Sequence, residues 1–308
     1  MGHGFAFSKD VVLKASLVLT DAPDIGFKVT NFNHANMTRL EARWEGLVDA
    51  LRLAVGLLAD FGFSEATLSA NSVLIPVAYY VYRRGLTEPY RTSLSYVNDR
   101  AALRSWVVRS LVKPGIWGSG LDTLLRELRR VIAEHGACSF PLTTLESAMA
   151  ARGKSLTFSE EEIDDLLETP YGHKRAFPLL TLLFPHVDTR NLFHIDHVFP
   201  RALFKRSKLL DAGVPAAQLD ELEQLANGLP NLQLLEGPIN VEKQDKLPSV
   251  WALQALPDPT KRAHYLATQD LEDLPTTIAD FSDFHQVRRE RLSQRLHAAL
   301  GVIAAAVL

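Results

Sequence analysis

The sequence has a single cysteine, Cys138, among its 308 residues. One cysteine excludes both an internal disulfide and a cysteine-rich zinc knuckle. Long apolar runs are also lacking, because no stretch reaches the roughly 18 to 20 residues that a membrane helix needs. The N-terminus does not show the basic, apolar and small-residue pattern of a signal peptide. We therefore expect a cytoplasmic protein that has no membrane partner.

An excess of positive charge is lacking as well. The chain carries 33 Lys and Arg against 36 Asp and Glu, a net charge of -3. Any contact with a nucleic acid must therefore come from local basic patches rather than from the protein as a whole. The length exceeds that of a typical single domain, and a hydrophobic fraction of 47% is ample for two cores.

Helical periodicity dominates the first half of the chain. Over residues 37–61, apolar residues recur at three- and four-residue steps and predict one amphipathic helix. Residues 71–84 are nearly all apolar, which predicts a buried helix whose tyrosines belong to the core. Further helices are predicted over 101–112, 121–134, 143–151 and 160–168, the last opened by a capping box of Ser159 and Glu162. The fold class is mainly α, with a helical domain over residues 1–170.

The second half begins with a different pattern. Residues 193–199 form an apolar, β-prone run that contains Asp196 next to His197 and ends at Pro200. Residues 231–235 predict a second strand, and residues 239–247 predict a helix with Pro248 beyond its end. Prolines 257, 259 and 275 mark loops, and residues 281–307 predict a closing helix. The sequence thus predicts a second domain, residues 171–308, with a small two-stranded antiparallel sheet.

The order of polar residues in this domain carries a resemblance. Asp196-His197 is followed by Asn231, by Asn240 nine residues later, and by Lys243 three further on. This order resembles the HNH nuclease motif. The resemblance implies a ββα-metal domain that has its Asp-His pair on the first strand, a structural Asn on the second and a metal-binding Asn on the helix.

In this interpretation each residue has a separate role in phosphodiester hydrolysis. Asp196 and Asn240 offer hard oxygen ligands for Mg²⁺ or Mn²⁺ and leave coordination positions for water and phosphate. His197 projects from the other side of the strand and acts as the neutral general base for the attacking water. Asn231 ties the loop together through its amide, and Lys243 contacts phosphate.

The resemblance extends along most of the chain. The chain is similar to the C-terminal helical and HNH portion of the DUF262/DUF1524 proteins, which include GmrSD-type restriction enzymes. The similar segments are residues 7–10, 72–82, 169–172 and 229–240. This implies the DNA-cleaving module of a bacterial restriction or antiviral defence system. Such proteins usually carry an N-terminal ParB-like nucleotidase domain with an Asp-Gly-Gln-Gln-Arg motif. This sequence has no such motif, so we expect no nucleotide hydrolysis, and that domain or subunit would be a partner outside this chain.

Positive charge gathers at two places that DNA could contact. The first is the segment 201–208, which follows the first predicted strand and contains no acid; its cations are Arg201, Lys205, Arg206 and Lys208. The second choice is the closing helix, with Arg288, Arg289, Arg291 and Arg295. A helix with that much charge is also typical of a solvated face.

Alternatives stay open at this point. An isolated Asp-His pair is usually surface polarity, and only the joint order and spacing favour catalysis. A non-catalytic nucleic-acid-binding module on the same fold is the rival hypothesis, and RNA is an alternative substrate. His194 shares the strand parity of Asp196, so it either assists the metal or is an ordinary packed or hydrogen-bonded histidine.

Overall fold

The structure, a computed structural model, describes residues 4–26, 28–187, 193–236, 243 and 245–301. Within these residues the chain is mainly helical and contains one two-stranded antiparallel sheet. It divides into two compact units, residues 1–156 and residues 157–308. None of the described helices is both long and apolar enough to cross a membrane.

The first unit is built around a buried central helix. Helix α4 packs against α1, α3 and α6, and its Tyr79 and Tyr80 are buried, which confirms the prediction that these tyrosines belong to the core. The helices described in this unit are α1 (Lys9–Leu19), α2 (His34–Ala42), α3 (Trp44–Asp60), α4 (Leu74–Arg83), α5 (Val97–Val112), α6 (Leu121–His135) and α7 (Leu142–Ala150).

The single helix predicted over residues 37–61 is two helices. Arg43 separates α2 from α3 because its backbone, with φ −116° and ψ 8°, leaves the helical region. Leu40 before the break and Leu47 after it are both buried. The apolar periodicity therefore runs through the break, and spacing alone could not reveal it.

The second unit surrounds its small sheet with helices. It contains α8 (Glu160–Leu167), α9 (Ala176–Leu183), β1 (Phe193–His197), α10 (Arg206–Asp211), α11 (Leu219–Leu225), β2 (Leu232–Glu236), α12 (Pro248–Ala255), α13 (Pro259–Thr268) and α14 (Phe281–Leu300). The predicted capping box of Ser159 and Glu162 opens α8. Helix α8 packs against α14, so this unit begins before the predicted boundary at residue 170.

The sheet has the predicted strands, with ends that differ by one or two residues. Strands β1 and β2 are antiparallel, and Asp196 lies opposite Gln233. A two-stranded sheet alone is marginally stable, so neighbouring elements must support it. Arg288 of α14 provides one support: its buried guanidinium donates to the carbonyls of Pro230 and, at 3.0 Å, Leu232. The closing helix thereby holds the start of β2.

Aromatic packing anchors the segment that follows β1. The Phe199 ring lies 5.2 Å from the Phe281 ring and 5.1 Å from the Phe284 ring, and Phe204 lies 4.7 Å from Phe281. These side chains belong to the core formed by the segment between the strands and the start of α14. The chain that leaves β1 is therefore anchored immediately after His197.

Pro248 and Pro259 each begin a helix. Pro248 opens α12, and Pro259 opens α13 after Asp258, whose carboxylate accepts from the amides of Thr260 and Lys261 at 2.8 and 3.1 Å. Pro257 and Pro275 lie in loops, as predicted, whereas the loop prediction at Pro259 is wrong because proline suits the first helical position, where its missing N–H costs nothing. The helix predicted over residues 239–247 lies outside the described residues, apart from Lys243 and residues 245–247.

Candidate active site

The pleat of β1 sends Asp196 and His197 to opposite faces of the sheet. Asp196 lies across from Gln233, and His197 lies across from Leu232. The Asp196 side chain is 17% exposed, and His197 is buried. The two side chains therefore project from opposite faces, as the sequence predicted.

Asp196 is held in a chain of polar contacts. Its Oδ2 accepts from the Lys243 ammonium at 2.5 Å and from the Gln233 amide at 3.0 Å. The Gln233 carbonyl oxygen accepts in turn from the Tyr265 hydroxyl at 2.8 Å. The other carboxylate oxygen, Oδ1, accepts no hydrogen bond from any residue in the described part of the chain.

Lys243 has a different place from the one predicted. Its side chain is only 2% exposed, and its ammonium donates to the His197 carbonyl as well as to Asp196. Burial lowers the pKa of Lys243, and the charge and hydrogen bond of Asp196 oppose that change. An ammonium enclosed in this way cannot reach a phosphate without leaving its partners. The predicted phosphate contact is therefore corrected to an internal ion pair.

The His197 ring is clamped on its own side of the sheet. Its Nε2 lies 3.2 Å from the Asn227 side-chain oxygen, and the Tyr171 ring lies 4.5 Å away, between centroids. Tyr171 is placed by its amide, which donates to the Asn227 carbonyl at 2.7 Å. Burial lowers the pKa of His197, so the ring is neutral near pH 7. With Nε2 donating to Asn227, Nδ1 is the nitrogen left to accept a proton.

Asn231 has the structural role that the sequence predicted. Its side-chain oxygen accepts from the Phe199 amide at 2.8 Å, and its Nδ2 donates to the carbonyls of Phe199 at 3.1 Å and Ala226 at 2.7 Å. Its own carbonyl accepts from the Val198 amide at 2.7 Å. The residue is fully buried. It therefore joins the end of β1 to the segment that precedes β2, and it does not face a substrate.

Removing the Asn231 amide should destabilise this unit more than any loss of surface polarity. Asn231→Ala leaves three buried main-chain groups without partners, and each such group costs about 1 to 3 kcal/mol. We expect the free energy of unfolding in urea to fall by about 3 kcal/mol or more. Gln224→Ala, an exposed change on α11, is the matched control and should have little effect. Equal stabilities of the two variants would contradict this role.

The predicted basic segment divides into two kinds of residue. Arg206 pairs with Asp220 at 2.7 Å, and Lys208 pairs with Asp245 at 3.2 Å. Arg201 and Lys205 form no ion pair with any residue that the structure describes, and both line a cavity beside Asn227. Half of the predicted DNA-binding set is therefore already compensated by carboxylates.

The arginines of α14 do not form a free basic face. Arg288 is buried against main-chain carbonyls. The other three pair with carboxylates of the same unit: Arg289 with Asp164 and Glu168, Arg291 with Glu272 and Asp273, and Arg295 with Asp270. The prediction of a second DNA-binding surface on α14 is thus corrected, because its arginines already have partners within the same unit.

Asp196 has the chemistry of a Mg²⁺ or Mn²⁺ ligand. It offers a carboxylate oxygen, Oδ1, that no described residue occupies, and such ions are commonly bound through one or two carboxylates with water completing the shell. The second predicted ligand, Asn240, lies outside the described residues. Among those that are described, no group of three or more His, Cys, Asp or Glu is arranged to hold a metal ion. Among the described residues, the fit of a Mg²⁺ or Mn²⁺ ion to this site therefore depends on Asp196.

Sequence reasoning missed four residues that position the site: Tyr171, Asn227, Gln233 and Tyr265. The alternation of β2 could have identified Gln233, because a polar residue interrupts an apolar strand opposite Asp196. Nothing in the sequence links residue 171 to residue 227. His194 is exposed, so it is not packed in a core, whereas a hydrogen-bonded role and its assistance to a metal stay predictions.

Comparison with models of known families and with curated proteins finds no match to this chain.

Proposed function

We propose that this chain is a metal-dependent HNH endonuclease that hydrolyses DNA phosphodiester bonds. The observation that carries the proposal is the pairing of a buried, clamped, neutral His197 with a carboxylate, Asp196, on the opposite face of the same strand. Each of the two side chains is held by a polar neighbour on its own face, His197 by Asn227 and Asp196 by Gln233. A pair that served only surface polarity would need no such support.

The proposed reaction assigns a proton path to these residues. The oxygen of a water molecule forms a bond to phosphorus while its proton passes to Nδ1 of His197, and the bond from phosphorus to the leaving oxygen breaks. The leaving oxygen takes a proton from solvent. Asn227 keeps the proton on Nε2 during this transfer, and Tyr171 restricts the ring. A Mg²⁺ or Mn²⁺ ion bound by Asp196 and Asn240 would stabilise negative charge on the phosphate.

The resemblance supplies the biological part of the proposal. We infer that the chain is the cleavage module of a bacterial restriction or anti-phage defence system, with DNA as its substrate. A ParB-like nucleotidase domain or subunit is the partner that this inference implies. The support for it is the order of Asp196, His197, Asn231, Asn240 and Lys243 in the sequence.

A plasmid-nicking assay tests the activity. We expect the purified chain to convert supercoiled plasmid into open-circular product when Mg²⁺ or Mn²⁺ is present and to leave it intact in excess EDTA. DNA binding without cutting in either metal would support the rival, a non-catalytic binding module. Cleavage of RNA but not of DNA, when both are assayed under the same conditions, would indicate that RNA is the substrate.

A further inference from the structure

A polar cavity of about 360 Å³ adjoins the His197 clamp. It lies between the segment that follows β1 and helix α11. Asn227 belongs to both the cavity and the clamp, because it lines the cavity while its side-chain oxygen lies 3.2 Å from Nε2 of His197. The residues that line it are Arg201, Phe204, Lys205, Glu223, Ala226 and Asn227.

The charges of this cavity suit one phosphodiester. Arg201 and Lys205 contribute two positive charges that no described carboxylate pairs with, and Glu223 contributes one negative charge. The sum of these three side chains is one positive charge, and a phosphodiester group carries one negative charge. The guanidinium of Arg201 can also donate two hydrogen bonds to phosphate oxygens in a fixed geometry.

The cavity is close to the proposed base, because Asn227 lines the cavity and also contacts the His197 ring. Phe204 lies between Arg201 and Lys205 in sequence, and its buried ring packs on Phe281 at 4.7 Å. The backbone that carries both cations is therefore anchored to the core.

We propose that this cavity binds the phosphate of a DNA strand that neighbours the phosphate being cleaved. The inference rests on the proposed nuclease function and deepens it. It assigns to Arg201 and Lys205 the role of positioning the DNA backbone relative to the cleavage site. Arg201 and Lys205 bind the phosphate oxygens, and Glu223 weakens the binding. Arg206 and Lys208 contribute little, because Asp220 and Asp245 already pair with them.

Two double variants, each of which removes two positive charges, distinguish the cations that line the cavity from those that are paired with carboxylates. Binding of a fluorescent DNA duplex is measured in EDTA, where no cleavage occurs, over a series of salt concentrations. Arg201→Gln/Lys205→Gln should weaken binding by about tenfold and lower the slope of log affinity against log salt by about 0.9. Arg206→Gln/Lys208→Gln should change both quantities much less. Equal losses in the two variants, or a greater loss in the second, would overturn the assignment.

A gain of affinity provides a test that misfolding cannot imitate. Glu223 is exposed on α11, and Glu223→Gln removes the carboxylate that opposes the phosphate. We expect DNA binding to tighten by about threefold, whereas Glu221→Gln, an exposed change on the same helix, should have less effect. If Glu223→Gln and Glu221→Gln change affinity equally, the cavity is not the phosphate site.

Duplexes with single methylphosphonate linkages locate the contact. One neutral linkage beside the cleavage position should weaken binding to the wild type but cause no further loss in Arg201→Gln/Lys205→Gln. A further loss in that variant at every position would contradict a phosphate in this cavity. Failure of the nuclease proposal is distinguishable: a wild type that does not cut but shows these binding differences keeps the phosphate site and loses the catalytic role.

Discussion

His197→Ala should lower the rate of DNA cleavage by roughly 10²- to 10⁴-fold, the contribution of a general base. The affinity for Mn²⁺ should change little, because the imidazole projects from the face of β1 opposite to Asp196. Since His197 is buried against Tyr171, the alanine variant also creates a cavity. His197→Gln fills more of that space and should lose the same activity with less loss of stability. Single-turnover cleavage and thermal unfolding measure the two effects.

Added imidazole separates the loss of a base from a loss of structure. A small base that enters the space left in His197→Ala should restore part of the cleavage rate, and it should not restore any in Asp196→Ala. His264→Ala, an exposed change on α13, is the control for histidine removal and should cut at the wild-type rate. Undiminished cleavage by His197→Ala would remove this residue from the mechanism.

Asp196 should prove to be a stability residue as well as a metal ligand. Asp196→Ala leaves the Lys243 ammonium buried with the His197 carbonyl as its described acceptor, and an uncompensated buried charge costs about 3 to 5 kcal/mol. Adding Lys243→Met removes that charge, so the double variant should regain most of the loss. Urea unfolding of the wild type, both single variants and the double variant gives the coupling energy of the pair.

The rate of DNA cleavage distinguishes the two expected roles of Asp196, which are stabilising the fold and binding the metal ion. The double variant Asp196→Ala/Lys243→Met should be stable but inactive, because the proposed metal ligand is still missing. Recovery of cleavage together with stability would mean that Asp196 serves the fold alone. A single variant Asp196→Ala as stable as the wild type would contradict the buried ion pair itself.

The sequence contains enough to predict the two strands and to place Asp196 and His197 on opposite faces of the sheet. An apolar, β-prone run that ends at Pro200 predicted β1, and the position of His197 next to Asp196 placed the two side chains on opposite faces by the pleat alone. Asn231 was predicted as the residue that ties the loop, and its three side-chain hydrogen bonds to main-chain groups confirm this. These features depend on local periodicity and on residue chemistry.

What the sequence did not reveal depends on contacts between distant residues. Lys243 was expected to contact phosphate because a solvated lysine and an ion-paired buried lysine have the same local sequence; only the approach of Asp196 distinguishes them. The clamp of Tyr171 and Asn227 requires the backbone bridge between Pro170 and Gly228, which no spacing rule predicts. The four cations of segment 201–208 were equivalent in sequence until Asp220 and Asp245 paired with two of them.

The most direct test of the site is the position of Mn²⁺ in crystals of the chain, located by anomalous scattering. We predict one strong peak bound to the Asp196 carboxylate, at about the 2.0 to 2.2 Å typical of small divalent cations and oxygen, and its loss in Asp196→Ala/Lys243→Met. A Mn²⁺ peak elsewhere, such as among the carboxylates of Asp270, Asp273, Asp280 and Asp283, with none at Asp196 would contradict the account.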